Sequence, residues 1–463
     1  MLFTDFYFIF LFLPVILLTV WNLKSRQYRL LILLLGSYIF YAAWNYKFVS
    51  LLLFSTCVDF FFGLMISRNK QNQRIKKIFL ILSVSCNLTI LGFFKYFNFF
   101  MGDAQAILAW FGLELEFPLL NVVLPIGISF YTFQSMSYTI DVYRGCVKAT
   151  RNFLKFASYV SLFPQLVAGP IVRYKDIAGQ LERMDRPFSL DNLTVGLQIF
   201  LLGLFKKVLI ADSIAKMITP MFDNYLDLEQ FGAWMAALGY AFQIYFDFSG
   251  YSDMAIGLGK MFGLQLPYNF NSPYKASNMA DFWRRWHITL STWLRDYLYI
   301  PLGGNRVSKR RTAFNVLFVF ALGGLWHGAA WTFVIWGIYQ GALVAGYYAF
   351  RRTWDNMPVI LQRTLTFFFV VIGWIFFRSD DVPMALNLLE KMFHLPTNIS
   401  LSSELIRLVV WNGTLLCVVN LLSNTNSFKG NRNPYVTIIF AFLFVLSIIA
   451  INSLRIEFLY YQF

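Results

Sequence analysis

The sequence predicts an all-α polytopic membrane protein with about 11–12 transmembrane helices, plus re-entrant and interfacial helices. Three observations carry that expectation. Hydrophobic residues make up 58% of the 463 positions and aromatic residues 19%, while only 14% are charged; a soluble chain carries about 25% charged residues. Apolar stretches of about 20 residues, the length that crosses a bilayer, recur along the chain. The basic residues behind a net charge of +15 fall in short segments between those stretches. That is the positive-inside pattern, so the charge is read as topology and not as nucleic-acid binding.

Taken in order, the first spans are expected near 6–22, 29–46, 48–67, 77–98 and 119–141. The opening "MLFTDFYFIF" has an acidic rather than basic start and no small-residue cleavage site, so 6–22 is expected to stay as a span. Lys24, Arg26 and Arg29 sit on the same side as Arg68, Lys70, Arg74, Lys76 and Lys77 if the intervening spans form a hairpin, and that side is assigned to the cytoplasm. The segments 99–118 and 222–230 hold Asp103, Glu114, Glu116, Asp223, Asp227 and Glu229 without Lys or Arg, which suits the outside. Residues 154–172 are apolar but interrupted by Pro164, Gly169 and Pro170. Broken backbone at membrane depth is tolerated only inside protein or along a cavity, so this segment is expected to be re-entrant.

Later spans are expected near 192–212, 231–258, 312–331, 333–350, 364–378, 404–423 and 434–453. Asp247 and Asp253 lie inside the second of these, either neutralising nearby arginines or lining a polar channel; the structural role is favoured. Residues 260–311 carry nine Lys or Arg against Asp281 and Asp296. The core of this region, "DFWRRWHITLSTWLRDYLYIPLGG", reads as one amphipathic helix at the cytoplasmic face, with Trp283, His287, Leu290 and Leu294 on one stripe. Pro301 and Gly303–Gly304 are expected to end it. A single integral membrane domain is expected over 1–463.

Chemistry is sought among the three histidines, His287, His327 and His394. His327 stands in "ALGGLWHGAAW", inside an apolar segment where an imidazole is costly. It is either a general base, with an ordinary pKa near the operating range, or a core histidine bonded to a neighbouring helix. Gly323, Gly324 and Gly328 would let backbone or a thin substrate come close. His287 has a plain interfacial reading beside its functional one, and His394 only the plain one. The basic cluster is either a lipid-facing surface or a phosphate site using Arg284 and Arg285. Cys57, Cys86, Cys146 and Cys417 are scattered without a C-x-x-C pair, so neither disulfide nor zinc chemistry is expected. There is no G-x-S-x-G, H-E-x-x-H or Walker loop.

The stretch "WRRWHITLSTWLRDYLYIPLGGNR", followed by "GGLWHG", resembles the membrane-bound O-acyltransferase family. So do "LPIGISFYTFQSMSYTIDVYRG", "FPQLVAGPIVRY" and "YFDFSGYSDMAIGLGKMFG", and together these cover most of residues 120–345. The resemblance implies a ring of tilted helices around a central tunnel. It implies His327 as the catalytic histidine and His287 as the second one. Trp283, Trp326, Gly324, Gly328 and Asp247 are then expected to line the tunnel, with Arg284 and Arg285 at the donor's phosphates. The implied reaction is acyl transfer from a cytoplasmic thioester donor, acetyl-CoA, to a hydroxyl. The product would be an extracytoplasmic polysaccharide, alginate-like or peptidoglycan, acetylated with the help of an extracytoplasmic acetyltransferase partner protein.

No bound cofactor, metal or nucleic acid is expected, and the setting is membrane lipid of the bacterial cytoplasmic (inner) membrane. The alternatives are D-alanyl transfer from a carrier protein within the same family, a transporter using Asp247, Asp253 and His327, or a non-catalytic assembly scaffold.

Overall fold

The computed structural model describes residues 1–113, 120, 122–394, 402–428, 430–431, 433–454, 456 and 458–459, and every regular element among them is helical. Glu114 and Glu116 lie outside the described residues. Among the described residues six stretches are long and apolar enough to cross a membrane: Lys47–Arg68, Gln73–Trp110, Leu190–Asp223, Val359–Arg378, Ser403–Ser427 and Pro434–Ile451. Arg26–Asn45, Gln230–Met261, Lys309–His327 and Trp331–Ala349 have spanning length with more polar sequences. Their polar and aromatic side chains are used inside the protein: Tyr41, Tyr240, Trp336 and Gln340 are all buried.

Three sequence expectations change. The helix expected to end at 98 continues through a π-helical turn, Gly92–Tyr96, into Phe97–Trp110, so Asp103 sits on a helix and not in a loop. The span expected from 119 begins only at Ile128. Pro125 precedes it, and Gly127 turns the chain at φ +76, where a Cβ would meet the Leu166 carbonyl oxygen at 2.4 Å. The single amphipathic helix expected within 260–311 is two helices, Met279–Arg285 and Ile288–Leu294, followed by a π-helical turn, Arg295–Tyr299. His287 adopts φ +41 between the two and breaks the stripe. Gly303 and Gly304, both at positive φ, do close this region.

The chain divides into two units, residues 1–197 with 254–267, and residues 198–253 with 268–463. In the first, Lys47–Arg68, Gln73–Leu91 and Ile128–Arg144 pack on one another. Asp59 is buried between them, accepting hydrogen bonds from Ser83 Oγ at 2.6 Å and Asn87 Nδ2 at 2.9 Å. Arg29 is drawn inward from its expected loop. Its guanidinium donates to the carbonyls of Leu23, Met184 and Arg186, each at 2.6 Å. The interrupted segment forms two short helices, Phe153–Ser161 and Phe163–Leu166, and residues 155–174 are buried, as broken backbone at membrane depth requires. Tyr159 Oη donates to the Gln134 carbonyl at 2.9 Å, and Gln165 Nε2 donates to the Tyr159 carbonyl at 2.6 Å.

The second unit is built around the hairpin of Lys309–His327 and Trp331–Ala349, with Val359–Arg378 packed on the latter helix. The hairpin helices touch through backbone. A Cβ on Gly324 would lie 2.1 Å from the Phe333 carbonyl oxygen, and one on Gly337 would lie 2.3 Å from that of Phe320. Small residues let two helices approach this closely where lipid offers no hydrophobic drive.

Candidate active site

His327 is the last residue of its helix, so its side chain is set by the hairpin turn and not by mid-helix packing. Gly328 follows in extended conformation, and any Cβ there would strike the Phe333 ring at 2.1 Å. The turn is therefore closed over by an aromatic ring, and His327 keeps only 3% exposure. Its imidazole is ringed edge-on by Trp326 at 5.0 Å and by Trp336 and Phe377, both at 5.2 Å, between ring centroids. Such edge-on packing is a favoured arrangement of aromatic rings and surrounds the imidazole with apolar walls.

The break between Met279–Arg285 and Ile288–Leu294 delivers the second histidine. Asn278 caps the first helix, its Oδ1 accepting from the Asp281 backbone N–H at 2.8 Å. The chain then leaves helical geometry at Trp286, and His287 takes φ +41, ψ +54 before the next helix starts. A non-glycine residue there costs on the order of 1–3 kcal/mol, a strain typical of residues held for a purpose. His287 is fully buried; its ring stands 4.7 Å from Phe248 and 6.3 Å from His327. Two segments that the sequence separates by 40 positions thus bring both imidazoles together.

A cavity of about 590 Å³ opens beside His327; His287, fully buried, is not among the residues that line it. Trp283, Arg284, Leu294, Arg295, Val319 and Trp336 form part of its wall, and it reaches His327. Along the Lys309–His327 helix it extends from Val316 to His327, eleven residues or about 16 Å. The shape is long and largely apolar, with guanidinium groups on its wall.

Of the residues singled out from sequence, Trp283, Arg284 and His327 face this cavity. Arg285 does not line it: its Nε pairs with Asp281 at 2.9 Å, one helical turn earlier. Trp326 packs against both histidine rings instead of the cavity. Gly324 and Gly328 are occupied by hairpin packing, as described above. Sequence reasoning did not single out Arg295, Tyr299 and Tyr348, which also line the cavity. Arg295 pairs with the neighbouring Asp296 at 2.7 Å, and its place eleven residues after Arg284 gave no sign that both share one wall.

Asp247 and Asp253 are taken up elsewhere. Asp247 pairs with Lys207 at 2.7 Å and accepts the Leu459 backbone N–H at 3.0 Å, while Lys207 also pairs with Asp212 at 2.6 Å. Asp253 pairs with Lys206 at 2.6 Å and accepts from Thr425 Oγ1 at 3.0 Å. Their partners are lysines of a π-helical turn, Lys206–Ala211, and not the arginines considered from sequence. Asp247 does not line the His327 cavity. Among the described residues no group of three His, Cys, Asp or Glu could hold a metal ion.

Residues 143–379, which include both histidines, match the membrane-bound O-acyltransferase family, MBOAT. The chain is 45% identical over 403 residues to the probable alginate O-acetylase AlgI of Pseudomonas aeruginosa, covering 86% of this chain and 76% of that one. It is 42% identical over 418 residues to the peptidoglycan O-acetyltransferase of Helicobacter pylori, covering 83% and 78%. Similarity to the teichoic acid D-alanyltransferase of Bacillus subtilis is lower, 28% over 275 residues, covering 56% and 70%.

Proposed function

The chain belongs to the membrane-bound O-acyltransferase family, and from that premise we propose that it moves an acetyl group from cytoplasmic acetyl-CoA to a hydroxyl acceptor, for O-acetylation of a polysaccharide outside the cytoplasm. The observation that carries this reading is His327 at the end of the long apolar cavity, with a second imidazole 6.3 Å away. A pantetheine arm is long and thin. Lying along the cavity, it would bring its thioester to His327 while the nucleotide phosphates stay with Arg284 and Arg295. Charge-assisted contacts of that kind suit guanidinium groups.

In the proposed reaction, His327 takes the proton of the acceptor hydroxyl and the oxygen attacks the thioester carbonyl. The tetrahedral intermediate collapses with cleavage of the carbon–sulfur bond, and the departing thiolate takes up the proton held by His327. His287 orients the acceptor or donates to the carbonyl oxygen as negative charge grows there. At 6.3 Å between centroids the two rings meet edge to face, so a group held at His327 is also close to His287. The aromatic wall of Trp326, Trp336 and Phe377 keeps water from competing for the acyl group.

The relatives at 45% and 42% identity are named for alginate and peptidoglycan O-acetylation, and they support an acetyl group and a polysaccharide acceptor here. We place the protein in the bacterial cytoplasmic membrane with the basic loops inside, and assign transfer onto the polymer to an extracytoplasmic acetyltransferase partner. Cells lacking the chain should lose ester-linked acetate from surface polysaccharide and regain it with the wild-type protein. Unchanged polymer acetate in those cells would overturn the reading; loss of ester-linked D-alanine instead would assign the chain to the other branch of its family.

A further inference from the structure

We propose that Asn269 is a positioning residue for His287, acting through Thr289 and Ser252. The inference rests on the reading of His287 as part of the acyl-transfer site. The case begins with the backbone. His287 holds φ +41 in a segment with neither glycine nor proline nearby, so something outside the two flanking helices must fix the turn.

The segment 269–271 does so from both sides. The Asn271 N–H donates to the Arg285 carbonyl at 2.9 Å, before the turn. The Ile288 N–H donates to the Asn269 carbonyl at 2.9 Å, after it. These two bonds bracket Trp286 and His287 as a short ladder would.

The Asn269 side chain then locks the ladder. Its Oδ1 accepts from Thr289 Oγ1 at 2.6 Å, and its Nδ2 donates to Ser252 Oγ at 3.2 Å. Asn269 keeps 1% exposure, and Ser252 and Thr289 are also buried. A buried amide that serves one neighbour as acceptor and another as donor has a single useful orientation. It ties the helix carrying Phe248, which packs on the His287 ring, to the first turn of the helix that His287 begins. Backbone and ring of His287 are therefore referred to the same residue, the backbone through the Asn269 carbonyl and the Thr289 bond, the ring through Ser252 and the helix that carries Phe248. Displacement of a reacting or orienting group by a fraction of an ångström is felt in the rate and not in ground-state binding.

Thr289→Val removes one hydroxyl with little change of shape and tests the link without emptying the core. With purified protein and acetyl-CoA, kcat should fall about tenfold with an unchanged KM for acetyl-CoA, and Thr289→Ser should restore it to within about twofold. Asn269→Ala should fall at least as far. In a His287→Ala background, Thr289→Val should cause no further loss, because both changes act on one group.

Wild-type kcat in Thr289→Val and Asn269→Ala, or full additivity with His287→Ala, would overturn the inference. So would a loss confined to folded yield. Failure of the underlying reading has a different mark: His287→Ala itself would keep wild-type activity.

Discussion

Two regions of the second unit bury charged or ionisable side chains among apolar helices, and they surround them with different neighbours. Around Lys206 and Lys207, every aspartate meets a lysine at 2.6–2.7 Å, and Thr425 and the Leu459 N–H take up further oxygen lone pairs. Around His327 the neighbours are tryptophan and phenylalanine rings, and the imidazole faces a cavity. From sequence the two regions are alike, polar residues stranded in apolar segments. The contrast separates two uses of a polar side chain: charges that close on one another hold helices together, whereas His327 stands among aromatic rings on the wall of a cavity, where our proposal places the substrate.

The sharpest way to break that contrast is Lys207→Met. It leaves Asp212 and Asp247 buried without their cation, and losing one partner of such a pair costs about 3–5 kcal/mol. Thermal unfolding in detergent should drop steeply and folded yield with it, while the protein that does fold keeps a near-normal donor KM. Stable protein lacking only catalysis would move the lysine cluster into the active site.

His287 comes next. Its replacement by Ala should lower kcat by about 10²-fold with the protein still folded. The same position tests the strained backbone, because glycine is at ease at φ +41 whereas alanine is not. His287→Gly should be more stable than His287→Ala by roughly 1 kcal/mol in denaturation measurements. Equal stabilities would mean that the turn relaxes once the imidazole is gone.

The smallest effect separates two adjacent arginines. Arg284 lines the cavity, whereas Arg285 is held by Asp281. Arg284→Ala should raise the KM for acetyl-CoA several-fold, with kcat changed less, and the effect should shrink as salt rises. Arg285→Ala should leave KM in place. Equal shifts from both would return the pair to a shared phosphate-binding or lipid-anchoring role.

These contrasts also mark what was legible in the sequence. Six of the expected spans were, because bilayer thickness imposes a length that composition reveals. That His327 lines a cavity is in keeping with its sequence setting, because an imidazole between glycines and tryptophans in an apolar segment is costly. The split between Arg284 and Arg285 was within reach, since Asp281 lies four residues before Arg285 and one turn away on a helix. The break at His287 was not: "FWRRWHITL" contains no residue that interrupts a helix, and the turn is held by Asn269 from a separate segment. Nor was the pairing of Asp247 with Lys207, because contacts across 40 residues are set by packing and leave no local trace.

The central claim, that His327 carries the chemistry and not the fold, is tested most directly by one paired measurement on His327→Ala. Acetyl transfer from acetyl-CoA and thermal stability are followed in the same purified preparation. The account predicts a fall in kcat of about 10²–10⁴-fold, the range for loss of a general base, with stability and donor KM close to wild type. A wild-type rate, or a rate that falls only in proportion to unfolded protein, would contradict it.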